Sequence, residues 1–179
     1  NNSFFGYMQT LYRHSDLKHN VDSFDYLLNF ISNRLRIDGQ YVKSDLNDGK
    51  HAVDHEISYS HPITNESLID FWINYLKYEK NFDINKVGYL DRDNLLSYKA
   101  GIAFRISSKS FIREHILSLQ KIKNTNINND ILNNVKIIKY FIKFNNFSTF
   151  SITGESISDN YYDRFYDFYF EDFFDIDLS

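Results

Sequence analysis

The tightest constraint on how this chain can fold is a four-residue period in its final stretch, DNYYDRFYDFYFEDFFDIDLS, from Asp159 to Ser179. Asp159, Asp163, Asp167, Glu171 and Asp175 recur every fourth position, and the pairs Tyr161-Tyr162, Phe165-Tyr166, Tyr169-Phe170 and Phe173-Phe174 sit between them. On an α-helix a four-residue step advances only about 40° around the axis, so the acids would form a slowly winding ridge beside a broad aromatic face. Ser156 and Ser158 precede the run as candidate N-caps. The rival is a strand, because four is a multiple of two and Tyr and Phe favour sheets. The length of the run favours the helix, strands being commonly about five or six residues long.

Charge sets this stretch apart. It holds seven acids and a single base, Arg164, while the whole chain of 179 residues has a net charge of −4. The rest of the chain is therefore slightly basic, and its end is acidic and aromatic. Such a surface suits a basic partner: charge steers the encounter and aromatic rings anchor it. The expected partner-binding residues are Asp163, Asp167, Glu171, Asp172 and Asp175, with Tyr162, Tyr166 and Tyr169 as anchors.

Seventeen Phe and fourteen Tyr argue for a folded chain. No apolar run reaches the roughly 18 residues of a transmembrane helix, and nothing at the N-terminus reads as a signal peptide. The expected location is cytoplasmic. With no Cys, disulfides and thiolate metal sites are excluded.

Along the chain, helical spacing predicts helices over 4–12, over 21–36 (Phe24, Leu27, Leu28, Ile31 and Leu35 on one side) and over 64–80, where Thr64 caps Leu68, Phe71, Trp72, Tyr75 and Leu76. It predicts two more after Ser108 or Ser110 and over 131–142, the second with a strand over 136–144 as its rival. Extended runs 40–46 and 52–59 flank Asn47-Asp48-Gly49-Lys50 and read as a hairpin. Strands are also predicted over 87–90, 100–106 and 147–153. The expected architecture is a single helix-rich α+β domain over residues 1–179, built around a small, mostly antiparallel sheet and ending in an acidic aromatic helix.

Specific chemistry is sparse. His51, Asp54, His55, Glu56 and His61 crowd one segment, but alternation there argues for a strand, on which His51 and His55 do not converge as zinc ligands do on a helix. A metal-dependent hydrolase on this cluster is one alternative function. No nucleophile elbow, phosphate loop or EF-hand is present, and Asp91-Arg92-Asp93-Asn94 reads as a turn. No catalytic residue, metal or cofactor is expected. Lys121, Lys123, Lys136, Lys139 and Lys143 form a basic stretch near Phe and Tyr, a second alternative site, for nucleic acid.

Two patches carry a family resemblance. SFFGYMQTLYR followed by SFDYLLNFI, and YKAGIAFRISSKSFIREHILSL, together resemble immunity proteins of bacterial contact-dependent growth inhibition systems, in particular those that neutralise ribonuclease toxins. The resemblance covers about a third of the chain. It implies a small cytoplasmic inhibitor without catalysis of its own, which binds a cognate toxin domain and covers its active site. The acidic segment usual between the patches is represented here by Asp45, Asp48, Asp54 and Glu56.

Overall fold

A computed structural model describes residues 3–14, 17–45, 49–82, 94–108, 111–160 and 168–178. Every regular element among them is a β-strand. The strands are β1 (Phe4–His14), β2 (Leu17–Phe30), β3 (Leu35–Ser44), β4 (His51–Pro62), β5 (Ser67–Tyr78), β6 (Leu95–Ser107), β7 (Ile112–Thr125), β8 (Ile131–Phe144), β9 (Thr149–Asn160) and β10 (Phe168–Leu178). Hydrogen-bonded neighbours follow chain order from β1 to β10, so the sheet is a ten-stranded meander. The register fixes Phe24 opposite Tyr41 across β2 and β3, Ile138 opposite Gly154 across β8 and β9, and Asp175 opposite Thr153 across β10 and β9, all antiparallel.

The helix-rich α+β expectation is overturned: the chain is all-β, with no helix among the described residues. The segment 4–12 lies in β1; 21–36 is most of β2, a turn and the start of β3; 64–80 contains β5. The helix expected after Ser108 or Ser110 is β7, and the one over 131–142 is β8, as its rival reading had it. Among the described residues of the tail the acidic aromatic helix is also absent, because β9 extends to Asn160 and β10 occupies Phe168–Leu178. Extended runs 40–46, 52–59 and 100–106 fall largely in β3, β4 and β6, and 147–153 overlaps β9, whereas 87–90 lies outside the described residues.

The reason is visible in β2. Apolar residues at Phe24, Leu27, Leu28 and Ile31 satisfy a helical spacing. Phe24, Tyr26, Leu28 and Phe30 also satisfy alternation, with Asp25, Leu27 and Asn29 between, Leu27 being the one apolar exception. Aromatic and β-branched side chains settle such a tie toward the pleated surface. The neighbours then supply hydrogen bonds that a lone strand lacks.

The connections alternate in length. Between β2 and β3, β4 and β5, β6 and β7, and β8 and β9 the chain spends four residues each time. The other five connections run from two residues up to the sixteen between β5 and β6. In a meander, alternate connections share one edge, so one edge of this sheet is uniformly tight and the other variable. The β2–β3 turn is tight enough to place Ile31, Ser32 and Asn33 at φ 52, 53 and 66°, a left-handed run costly for a β-branched residue.

Contacts divide the chain into two units. Unit 1 comprises Asn1–Ile57, Asn74–Tyr98 and Asn124–Asp130; unit 2 comprises Ser58–Ile73, Lys99–Lys123 and Ile131–Ser179. In unit 1 the variable connections are tied together. Asn94 N–H donates to the Glu79 carbonyl at 3.4 Å, and Ile127 N–H to Asn94 Oδ1 at 3.1 Å. In unit 2 the tight turns are tied. Ser107 N–H donates to the Glu66 carbonyl at 2.7 Å and Asn145 N–H to the Phe111 carbonyl at 3.1 Å.

Candidate functional site

Strand alternation sorts side chains onto two faces. In a water-soluble sheet the apolar face is the covered one. Along β6 the assignment is reversed. Tyr98, Ala100, Ile102, Phe104 and Ile106 are exposed, while Ser97, Lys99, Gly101, Ala103 and Arg105 between them are half-buried or buried.

Within unit 1, the register puts Phe5, Phe24, Tyr26, Tyr41 and Gly39 on one face. Phe5 (66% exposed), Phe24 and Tyr41 are open to the outside. The opposite face carries Ser23, Asp25, Gln40 and Ser44, and Ser44 is fully buried. Its polar groups satisfy one another: Gln40 Nε2 donates to Ser23 Oγ at 3.1 Å, Ser23 to Asp25, Asn74 to Asp54 at 2.7 Å, and Arg36 pairs with Asp38 at 2.7 Å. A recess of about 350 Å³ runs over this face, lined by Asp25, Arg36, Asp38, Asp54 and Glu56 among others. Strand β1, at one end of the order, exposes both its faces, Phe4 and Met8 as well as Phe5 and Tyr7.

Within unit 2 the outward face carries Phe71, Ile73, Ile102, Phe104, Leu119 and Ile138, all exposed, together with the exposed Lys121, Lys123 and Lys136. The covered face is organised by Arg105. Its guanidinium lies 3.4 Å from Asp70 and 3.6 Å from Glu114, and Ser60 Oγ donates to Asp70. Beside this cluster the Trp72 indole packs flat against Gly101, where a Cβ would collide with the ring. Glycine is required there by close approach.

The outward aromatics are placed near strand ends. In unit 1, Tyr41, Tyr75 and Tyr98 each stand three residues in from the strand end that meets a variable connection; Tyr75 and Tyr98 pack at 5.4 Å. In unit 2, Tyr59 and Phe104 stand three residues in from the tight-turn end, where Phe111 and Phe144 also pack at 5.4 Å.

The histidine segment does not assemble a metal site. His51 lies 3.1 Å from Glu79, and its N–H reaches the same carboxylate at 3.3 Å. His55 shares a hydrogen bond with the Tyr26 hydroxyl at 2.8 Å over Gly39, and His61 approaches Tyr59. Among the described residues no three ligating side chains converge. Burial pushes the Glu79 carboxyl up, but the His51 N–H, the His51 charge and Lys77 outweigh it and hold the group below the usual glutamate range. Burial, aided by Asp38, raises the Tyr26 phenol. Asp22, accepting from Tyr7 and Gln9, is held below the usual aspartate range.

Of the tail residues singled out in the sequence, Glu171, Asp172, Asp175 and Tyr169 belong to β10, where the backbone register sets them opposite Ile157, Ser156, Thr153 and Asp159 of β9. Tyr162, Asp163, Tyr166 and Asp167 lie outside the described residues. The basic stretch is split by alternation: Lys121 and Lys123 share a face with Leu119, and Lys136 shares one with Ile138, whereas Lys139 and Lys143 take the other parity on β8. Sequence reasoning missed the inverted sheet. The signal that carried it was alternation in LLSYKAGIAFRIS, whose even and odd positions differ in polarity. Compared with family models, with curated proteins and with solved structures, the chain gives no match.

Proposed function

We propose that this chain forms part of the wall of a membrane-spanning β-barrel, its apolar face against lipid and its polar face toward an aqueous interior. The observation that carries this reading is the inversion along β2 and β6, where Phe24, Phe30, Ile102 and Phe104 are exposed while Val21, Ser23, Ser97 and Ala103 at alternate positions are buried. Water penalises such an arrangement and hydrocarbon rewards it.

Three further features support it. The strands are 10 to 14 residues long, against the roughly 9 to 11 that a tilted strand needs to cross a bilayer. Four-residue turns throughout one edge and connections of two to sixteen residues on the other resemble the turn and loop sides of such barrels, and aromatics near both strand ends match their interfacial girdles. A bilayer tolerates a sheet only when every edge strand is paired, so the reading requires β1 and β10 to find neighbours when inserted. No helix among the described residues is long and apolar enough to cross a membrane, a finding that bears on helices alone.

The absence of cysteine makes the test direct. Single cysteines at Ile102 and Ala103, labelled with an environment-sensitive dye, are compared after refolding the chain into phosphatidylcholine vesicles. The expected result is a blue-shifted signal at position 102, quenched by spin-labelled lipid, and a signal at 103 that lipid quenchers leave alone. Equal quenching of both by aqueous iodide, with the chain remaining lipid-free in plain buffer, would overturn the membrane reading. That outcome would favour the toxin-inhibitor reading and the cytoplasmic location that accompanies it.

A further inference from the structure

The outward face of unit 2 is not uniform. Across β5 to β9 it dips into a trough of about 760 Å³, in the range of sites that enclose a small organic ligand. Ala100 and Gly154 leave the dip, and Phe71, Ile102, Leu119 and Ile138 wall it. Lys121 and Lys136 stand at its margin, both exposed, and neither has an ion pair among the described residues.

Two unpaired ammonium groups on a lipid-facing wall need an account, since charge on that face is costly at the bilayer midplane and cheap near its surface. Strands of 14 residues rising about 3.3 Å per residue and tilted about 40° stand roughly 35 Å tall against an apolar band of about 25 Å, so about 5 Å protrudes on each side. Lys136 is five residues from the start of β8 and Lys121 four from the end of β7. At about 2.5 Å of height per residue this places the Lys121 Cα about 5 Å and the Lys136 Cα about 8 Å inside the band, a depth that a long lysine side chain spans toward the headgroup layer with its stem against the apolar wall.

Resting on the membrane reading, we propose that the trough is a binding site for an anionic phospholipid, with one acyl chain laid along Ala100 and Gly154 and the phosphate between Lys121 and Lys136. The apolar walls recognise the chain, and the paired lysines distinguish an anionic headgroup from a zwitterionic one. A small residue at position 154 keeps the trough open.

The test uses the full chain refolded into phosphatidylcholine vesicles containing a minor fraction of phosphatidylglycerol, then extracted in mild detergent. Retained lipid is identified by native mass spectrometry. Wild type is expected to enrich phosphatidylglycerol over its supply about tenfold, near the effect of one to two surface lysines on an anionic lipid. The K121Q/K136Q variant is expected to retain the two lipids in the supplied ratio, and G154L to retain less of both. Undiminished enrichment in K121Q/K136Q, or none in wild type, overturns the site.

Insertion into pure phosphatidylcholine is scored separately and is expected to be the same in all three proteins, so failure of the site and failure of the membrane reading are told apart. Should the chain not insert, dodecyl phosphate is titrated in buffer beside inorganic phosphate. Tighter binding of the alkyl phosphate, weakened by G154L, supports the trough, and equal binding of the two probes overturns it.

Discussion

The outward faces of the two units are made from one alternation and yet differ in chemistry. Unit 1 turns outward mostly rings, Phe5 and Phe24 beside tyrosines whose hydroxyls or faces are engaged: Tyr26 hydrogen-bonds His55, Tyr41 stacks on His51 at 5.5 Å, and Tyr7 donates to Asp22 at 2.7 Å. Unit 2 turns outward the aliphatic Ile102, Leu119 and Ile138 together with the exposed Lys121, Lys123 and Lys136.

The covered faces sharpen the comparison. The largest expected effect is at Gly101, where Val would drive a branched side chain into the Trp72 ring. Gly101→Val should lower stability by about 3 kcal/mol in urea unfolding, at the upper end of overpacking costs. Ala100→Val, one residue away on the outward face, should change it by less than about 0.5 kcal/mol. Similar values for the two would erase the distinction between faces.

In unit 1, Tyr26→Phe removes the hydroxyl that meets His55 and should cost about 1 kcal/mol in the same measurement. Tyr75→Phe, without a hydroxyl partner in the ring pair with Tyr98, should cost less. Ile31 offers a change of opposite sign. Its left-handed φ of 52° suits Gly or Asn, so Ile31→Gly should raise the unfolding free energy by about 1 kcal/mol. A neutral result would mean that the tight turn relaxes in solution.

The smallest effect is in acid. Glu79 is held below the usual glutamate range in the folded chain, so its contacts with His51 and Lys77 contribute stability above that range. The contribution is lost as pH falls through the folded value. Stability should therefore drop on acidification beneath the ordinary glutamate range, and Glu79→Gln should flatten the slope in part. Asp22, also held low, accounts for a further part that Asp22→Asn removes. A slope unchanged by either substitution would remove both pairings from the account.

How far the fold can be read from the sequence varies by segment. β4 was legible through its alternation, the second half of β3 through the Asp-Gly turn that joins it to β4, and β6 because Ala100 to Phe104 is a short, small and apolar run. β2, β5, β7 and β8 were not, because Phe24, Leu27, Leu28 and Ile31, or Leu68, Phe71, Trp72 and Tyr75, satisfy two periods at once. Assigning each ambiguous run an inward apolar stripe made helix the natural choice, since that choice presumes water outside. The acids of the tail were weighed as a helical ridge, whereas Glu171 and Asp175 sit at strand positions paired with β9. The lysines were weighed as one basic stretch, and alternation divides them between two faces.

By itself the sequence determined the period-two polarity of its clearest strands, the Asp-Gly turn between β3 and β4 and the excess of Tyr and Phe, all of which are local properties of neighbouring residues. Only the tertiary structure decided which parity is covered. Ser23, Ser97 and Ala103 lie buried and Phe5, Ile102 and Ile138 lie open because successive strands pair across their turns in one register. A single residue of slip would exchange the faces. The polarity of a strand is written in its own residues, but the side that meets the surroundings is set by its neighbours.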